Sequence, residues 1–412
     1  MNKQKAIEAL SSASVWSLYV LAFFLPFSKS IIEIAIITTI LSWGIRKILT
    51  KDLALKKTPL NWALLVFLAV NVISLLNAGA LMPLVMKALV TKCLKYVVFY
   101  FAVIETIDSK EKLTNILKIT VSSAVLVVLD GFLQYYVFHY DPIRNYQSFK
   151  YASRYAALTT GVDYSLGFPT GPFPFPNSLS AWLITTTLPV LCVFMWGMKK
   201  SAWRYLLGVF SASAVFLLYL SNTRSAWLSF FAAFFIALIM KKKTLIIFFV
   251  ILIMVVTLPF LPKEKVGNIL GFTSMQDRFC MWDTGWKIFM EHPIVGNGLN
   301  TFFVKYMEFR GDQYKGLKGS YAHNGYLQIA ADTGLIGLGA FLFILVKFFW
   351  STIRSIKICK DGFYGTLFLG MFAGITAFLI QSFFDVNLQS LQLVVLFWFF
   401  LSVTMSFRGL NS

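Results

Sequence analysis

Charge is scarce in this sequence. Asp, Glu, Lys and Arg make up 13% of its 412 residues, while 58% are hydrophobic, and an ordinary soluble domain carries about 25% charged residues. A water-soluble globular enzyme is thereby excluded. Acidic residues are scarcer still, 18 against 37 Lys and Arg, and there are three histidines. The histidines have no HExxH-like spacing and no carboxylate cluster beside them, so a metal site is not supported. Of the four cysteines, Cys93 and Cys192 lie in apolar runs, Cys280 in a long connector and Cys359 in a short basic one. No disulfide framework or CxxC pair follows from them. There is no P-loop, no dinucleotide-binding glycine pattern and no GxSxG elbow, and the GNG at 296–298 is too short for any of these. Nucleotide-driven chemistry is excluded with them. Ten-residue segments of alternating polarity are missing too, and unbroken apolar runs such as 245–256 stand in their place, which rules out a membrane β-barrel. No internal repeat or half-and-half symmetry of the transporter kind is visible.

Long apolar runs are what the chain has in quantity. Bounded by charge, Pro or Gly, they predict twelve membrane spans near 14–27, 30–45, 60–77, 84–106, 114–138, 177–197, 205–221, 225–240, 244–262, 333–350, 363–384 and 388–406. The fold class expected is an all-α polytopic membrane protein. The first apolar run leads into the second without a small-residue cleavage site, so it reads as a span and not as a cleaved signal. The net charge of +19 sits mostly in short connectors, which marks topology and not nucleic-acid binding. Arg46, Lys47, Lys51, Lys56 and Lys57, then Lys110 and Lys112, Lys199, Lys200 and Arg204, Lys241 to Lys243, and Arg354, Lys357 and Lys360 fit a cytoplasmic face. Both termini are then cytoplasmic, and two long segments, 139–176 and 263–332, face outward. The expected organisation is therefore 1–138 with five spans, the outer loop 139–176, 177–262 with four spans, the large outer loop 263–332, and 333–412 with three spans. Loops of that length usually carry function.

Arg224, in the SNTRSAW connector, breaks the charge trend by standing at the outer bilayer edge. It is either a snorkelling anchor or a group kept for a ligand or counter-charge. The large loop adds Arg278, and His323 precedes a partly polar helical run. His139 sits beside an aromatic cluster, and His292 precedes a proline that suits a helix stop. His323 is either a hydrogen-bonded structural residue or a general base, since imidazole ordinarily titrates near ~6.5. Arginines suit bidentate phosphate recognition. Together with one base they are compatible with transfer from a diphosphate-activated, lipid-linked donor.

Three motifs appear in order: NTRSAW at 222–227, RFCMWDTGWKIFMEHPIVGNGLNTF at 278–302 and AHNGYLQIAADTGLIGLGAF at 322–341. GPFPFPNSLSAWLITTTLP at 171–189 and FFDVNLQSLQLVVLFW at 383–398 flank them. Together these resemble the O-antigen ligase and polymerase superfamily of bacterial envelope membrane proteins, over roughly 165–400. The resemblance implies a glycosyltransferase of GT-C type in the bacterial inner membrane, with a periplasmic site and neither metal nor other cofactor. The implied donor is a glycan on undecaprenyl diphosphate and the implied acceptor a lipid A-core sugar. It assigns Arg224 and Arg278 to the diphosphate and His323 to the base. Asn324 would help orient His323, Arg154 and Asn177 would contact diphosphate or sugar, and Trp282 and Trp286 would pack on sugar or lipid or anchor at the interface. A ligase is the leading expectation. A polymerase that extends lipid-linked repeat units shares the chemistry, and a transporter of lipid-linked sugars is the alternative from another class.

Overall fold

The structure is a computed structural model that describes residues 3–138, 168–243, 272–311, 321–359 and 361–409. Every regular element among the described residues is helical. The predicted span at 244–262, His139 and Arg154 lie outside the described residues.

The chain opens with a hairpin of α1 (Lys3–Phe24) and α2 (Lys29–Thr50). The turn between them contains Pro26, and Ser28 caps α2 by accepting from the Ile31 amide. Helix α3 (Asn61–Ile73) follows. Next comes α4 (Met82–Ala88), which runs through a π-helical turn (Leu89–Leu94) into α5 (Lys95–Thr106). Helix α6 (Lys110–Leu133) is capped by Ser109, and α7 (Pro176–Cys192) begins with proline in its first turn, where a missing N–H costs nothing. Helices α8 (Ala202–Leu220) and α9 (Arg224–Met240) form a second hairpin. The large connector contributes α10 (Phe272–Glu291) and α11 (Phe302–Phe309). The last three helices are α12 (Gly325–Ile358), α13 (Gly362–Gln381) and α14 (Leu391–Gly409).

Seven of these helical stretches are long and apolar enough to cross a bilayer: Lys3–Phe24, Lys110–Phe138, Pro176–Gly197, Ala202–Leu220, Gly325–Ile358, Gly362–Gln381 and Leu391–Arg408. Asn61–Asn77 and Arg224–Met240 are shorter apolar helices. The outward faces are apolar as well, with Trp16, Ile34, Ile48, Trp62 and Leu76 all more than 60% exposed. Surfaces of that character belong in lipid, and the chain is a multi-pass helical membrane protein.

The centre of the bundle is α7, α13 and α14, whose apolar windows are 78%, 83% and 89% buried, against 28% for α1 and α8. Small residues make this possible. A Cβ at Gly374 would lie 2.5 Å from the Thr185 carbonyl oxygen, and one at Gly370 2.5 Å from Pro189 Cα. The GMFAG stretch of α13 thus lets two backbones touch, as small residues four apart do between membrane helices. In lipid, where burying apolar surface gives helices no reason to associate, that contact is a main source of cohesion.

The two ends of the bundle differ in chemistry. At one end Lys47 pairs with Glu105 at 3.0 Å, Glu105 also accepts from Trp43 Nε1 and the Lys56 amide, and Lys110 lies over the Tyr364 ring. This end collects the basic connectors. The opposite end collects the α6–α7, α8–α9 and α13–α14 connections, with α10 and α11. Asn77 Nδ2 donates to the Gly296 carbonyl there, and Gln392 Nε2 donates to that of Pro26.

Candidate active site

The site is organised by a break in α12. At Gly334 the backbone leaves helical geometry (φ 68°, ψ −174°), which frees the Ala331 and Asp332 carbonyls and the Leu335 and Ile336 amides. The HPIVGNG segment answers each of them. Leu335 N donates to Pro293 O at 2.9 Å and Ile336 N to Ile294 O at 3.2 Å, while Asn297 N and Gly298 N donate to Ala331 O and Asp332 O. Asn297, fully buried, adds side-chain bonds to Ile288 O (2.7 Å) and Ala331 O (3.1 Å). A Cβ on Gly334 would meet the Ile294 carbonyl oxygen at 2.1 Å, so only glycine fits. The Asp332 carboxylate, 2% exposed, accepts from the Phe302 amide and so ties α11 to the same break. The helix itself begins at Gly325, eight residues before the predicted start of the span at 333, and its first, partly polar turns before the break pack under α10 and α11.

At the tip of that turn His323 adopts φ 47°, in the left-handed region. Asn324 then caps α12, its side-chain oxygen accepting from the Tyr326 and Leu327 amides. Trp282 Nε1 donates to the His323 carbonyl at 3.3 Å, and Gly325 N donates to Ser382 O at 2.7 Å. Held this way, the imidazole places Nδ1 3.4 Å from Asp385 Oδ1 in the α13–α14 connection. The second carboxylate oxygen accepts from Asn177 Nδ2 at 3.0 Å, and the Val386 amide donates to the first. Asn177 Oδ1 in turn accepts from Thr223 Oγ1, immediately before Arg224, and the Asn177 carbonyl accepts from Gln381 Nε2. One chain of contacts thus links the starts of α7, α9 and α12 with the α13–α14 connection.

The electrostatics follow from this packing. Burial works to raise the Asp385 carboxyl, but the His323 contact, the Val386 amide and the Arg278 charge outweigh it and hold the group below the usual carboxylate value. An ionised Asp385 favours the imidazole tautomer with its proton on Nδ1, leaving Nε2 as an acceptor. Arg224 opens α9 and Arg278 lies on α10, and the Arg278 charge acts on the Arg224 guanidinium. Arg278 makes no hydrogen bond or ion pair among the described residues. Two cations held near each other beside a base make a place for an anion of more than one charge.

An apolar groove of about 670 Å³ opens beside this group between α9, α12 and α13, lined by Leu228, Tyr326, Phe349, Ile380, Phe383 and Phe384 among others. Leu228 stands one helical turn below Arg224, and Phe383 packs on Trp282. The groove therefore leads from the arginines into the apolar part of the bundle.

Of the residues singled out from sequence, His323, Arg224, Arg278, Asn177 and Asn324 all come to this end, from elements far apart in the chain. Asn324 is engaged in capping and contacts the base only through the backbone. Asn177 is engaged by Asp385 and Thr223. Trp282 braces the His323 loop, whereas Trp286 packs on Phe289 and is 56% exposed. Arg154 falls outside the described residues. Asp385 was the residue sequence reasoning passed over. Its signal was a lone acid between two apolar spans in a chain with few acids, within the FFDVNLQ motif already noted. Lys92, from the π-helical turn, also reaches this end, donating to Asn300 Oδ1 (2.6 Å) and Gln389 Oε1 (2.8 Å).

Residues 209–342 match the family model described as O-antigen ligase. The matched third of the chain contains Arg224, Arg278 and His323, and it supports the likeness to the O-antigen ligase-like superfamily that the motifs show. Asn177 and Asp385, contributed by flanking helices, lie outside the match. No curated protein matches the chain.

Proposed function

We propose that this protein is an inverting, metal-independent glycosyltransferase of GT-C type, acting as an O-antigen ligase. In this reading it moves a glycan from undecaprenyl diphosphate to a sugar hydroxyl of the lipid A core. The observation that carries the reading is the convergence of His323–Asp385 with Arg224 and Arg278 at the mouth of an apolar groove. The O-antigen ligase match over 209–342 supports the reaction class. By the positive-inside rule the basic end faces the cytoplasm, so the site faces the periplasm and the protein resides in the bacterial inner membrane. The site then draws Arg278 and His323 from the long outer segment 263–332.

The donor diphosphate lies on Arg224 and Arg278, and its polyprenyl chain descends along the groove past Leu228. His323 Nε2 takes the proton from the acceptor hydroxyl as that oxygen bonds to the anomeric carbon. The bond from this carbon to the diphosphate oxygen breaks on the opposite face, inverting the centre. Charge developing on the departing diphosphate is met by the two guanidiniums. Asp385 holds the imidazole in its tautomer and stabilises the imidazolium that forms, and Asn177 and Val386 hold Asp385. Because the diphosphate is a good leaving group, positioning and charge neutralisation supply most of the required catalysis.

Purified protein tests the roles. His323→Ala is expected to abolish transfer while the lipid-linked donor still binds, whereas Arg224→Ala and Arg278→Ala weaken donor binding as well. Near wild-type turnover by the His323 variant would remove the base assignment. Deletion in the source bacterium tests the acceptor. Long chains accumulating on undecaprenyl with a bare core mark a ligase. A core bearing single repeat units, without long lipid-linked chains, marks a polymerase using the same chemistry.

A further inference from the structure

A second cavity, of about 240 Å³, lies between α2, α3, α5, α12 and α14, and none of His323, Asp385, Arg224 or Arg278 lines it. Its volume is just under the ~300–1,000 Å³ of pockets for drug-sized ligands, which suits one small ring. Its walls mix aromatic faces with hydrogen-bonding groups. Tyr96 and Trp398 stack on one another at 6.2 Å, and Phe67 stands beside Trp398.

Several polar groups on this wall are unspent. Asn71 is 1% exposed; its Nδ2 donates to Phe67 O at 2.7 Å, yet its Oδ1 has no partner among the described residues. Gln389 gives Oε1 to Lys92 and leaves Nε2 free in the same sense. The Tyr96 hydroxyl and the Trp398 indole N–H are likewise unengaged among the described residues. Polar groups normally find partners, so donors and acceptors that line one cavity without a partner among the described residues point to an occupant that pairs them. The formal charges on the lining cancel. Lys95 is matched by Glu33 at 2.8 Å, and Lys92 stands within the field of Asp332. A cavity without net charge, with aromatic faces and both kinds of hydrogen-bonding group, suits a neutral polyol better than an anion.

We propose that this cavity is a binding subsite for one neutral pyranose ring. Its roof places it next to the reacting groups. Gln389 follows Asp385 by four residues, Asp332 follows His323 by nine, and Lys92 ties Asn300 to Gln389 between them. The π-helical turn that carries Lys92 is a distortion of the kind often found at functional sites. Resting on the transferase reading, the ring belongs to the glycan acceptor, whose hydroxyl is thereby presented toward His323.

The full-length protein in lipid nanodiscs tests this by saturation-transfer NMR with glucose, galactose and N-acetylglucosamine as separate probes and inorganic pyrophosphate as the anion control. At least one pyranose is expected to show saturation at its ring protons. Asn71→Leu should weaken that binding at least tenfold, and Tyr96→Phe should weaken it without disturbing the fold, while pyrophosphate binds both variants as it does wild type. Absence of pyranose binding to wild type, binding undiminished in both variants, or displacement of the sugar by pyrophosphate would each overturn the proposal. Acceptor KM in the transfer assay should rise in the same two variants with donor affinity unchanged. If wild type transfers no glycan but still binds a pyranose that Asn71→Leu abolishes, the subsite stands and the transferase reading falls.

Discussion

At the scale of single residues, the most informative contact is His323 with Asp385. Asp385→Asn keeps the size of the side chain and its acceptor oxygen but removes the charge that favours the Nδ1–H tautomer. Turnover is expected to fall roughly 10²–10⁴-fold, the range a positioned base contributes, with donor KM unchanged; a matching loss of donor affinity would instead implicate Asp385 in diphosphate binding. The same carboxylate has a pH signature. Its folded value is held below the ordinary one, so its ionised form contributes stability that is fully present above ~3.9, the unfolded carboxyl value. That contribution is lost as pH falls through the lower folded value. Melting temperatures taken from pH 6 downward should therefore drop more steeply below about pH 4 in wild type than in Asp385→Asn. Asn177 was expected to touch diphosphate or sugar, and here its amide is turned to Asp385. Sequence alone could not show this, because the partners are more than 200 residues apart.

At the scale of elements, the break in α12 and the loop that clasps it form one unit. Asn297→Ala removes two side-chain hydrogen bonds from a fully buried position, which should cost about 1–3 kcal/mol. The loss should appear as a lower melting temperature together with reduced turnover, because the clasp holds the turn that carries His323. Gly334→Ala is expected to be worse, since its Cβ would overlap the Ile294 carbonyl and its φ of 68° disfavours any side chain. Limited proteolysis between α10 and α12 should show the clasp opening in that variant and not in wild type. The GNG motif, too short to be a nucleotide loop, finds its use here as backbone that fits against a broken helix.

At the scale of the whole molecule, cohesion depends on how closely α13 approaches α7. Gly374→Leu forces a large side chain into backbone and should destabilise the protein by about 1–3 kcal/mol, or prevent assembly of the three central helices. Thermal unfolding in nanodiscs would register this, whereas an equivalent change at Gly44, whose Cβ would meet nothing within 4 Å, should leave the melting temperature unchanged. The comparison separates packing from helix propensity, since both glycines lie inside helices.

What the sequence determined by itself was the solvent and the distribution of charge. Long apolar runs with basic connectors admit only helices in a bilayer, because a backbone in lipid must satisfy its own hydrogen bonds. Arg224 stood out because an ionisable residue at the edge of an apolar span is costly, whereas Arg278 and His323 were singled out through the motifs they share with a known family. Only the tertiary structure decided which groups meet. Asp385 comes to His323 from another connection, Asn177 from a third helix, and the helix break at Gly334 is stable only because a loop some forty residues upstream supplies the missing hydrogen bonds. Local periodicity describes which face of a helix avoids water, but it holds no information about which distant backbone will complete a broken one.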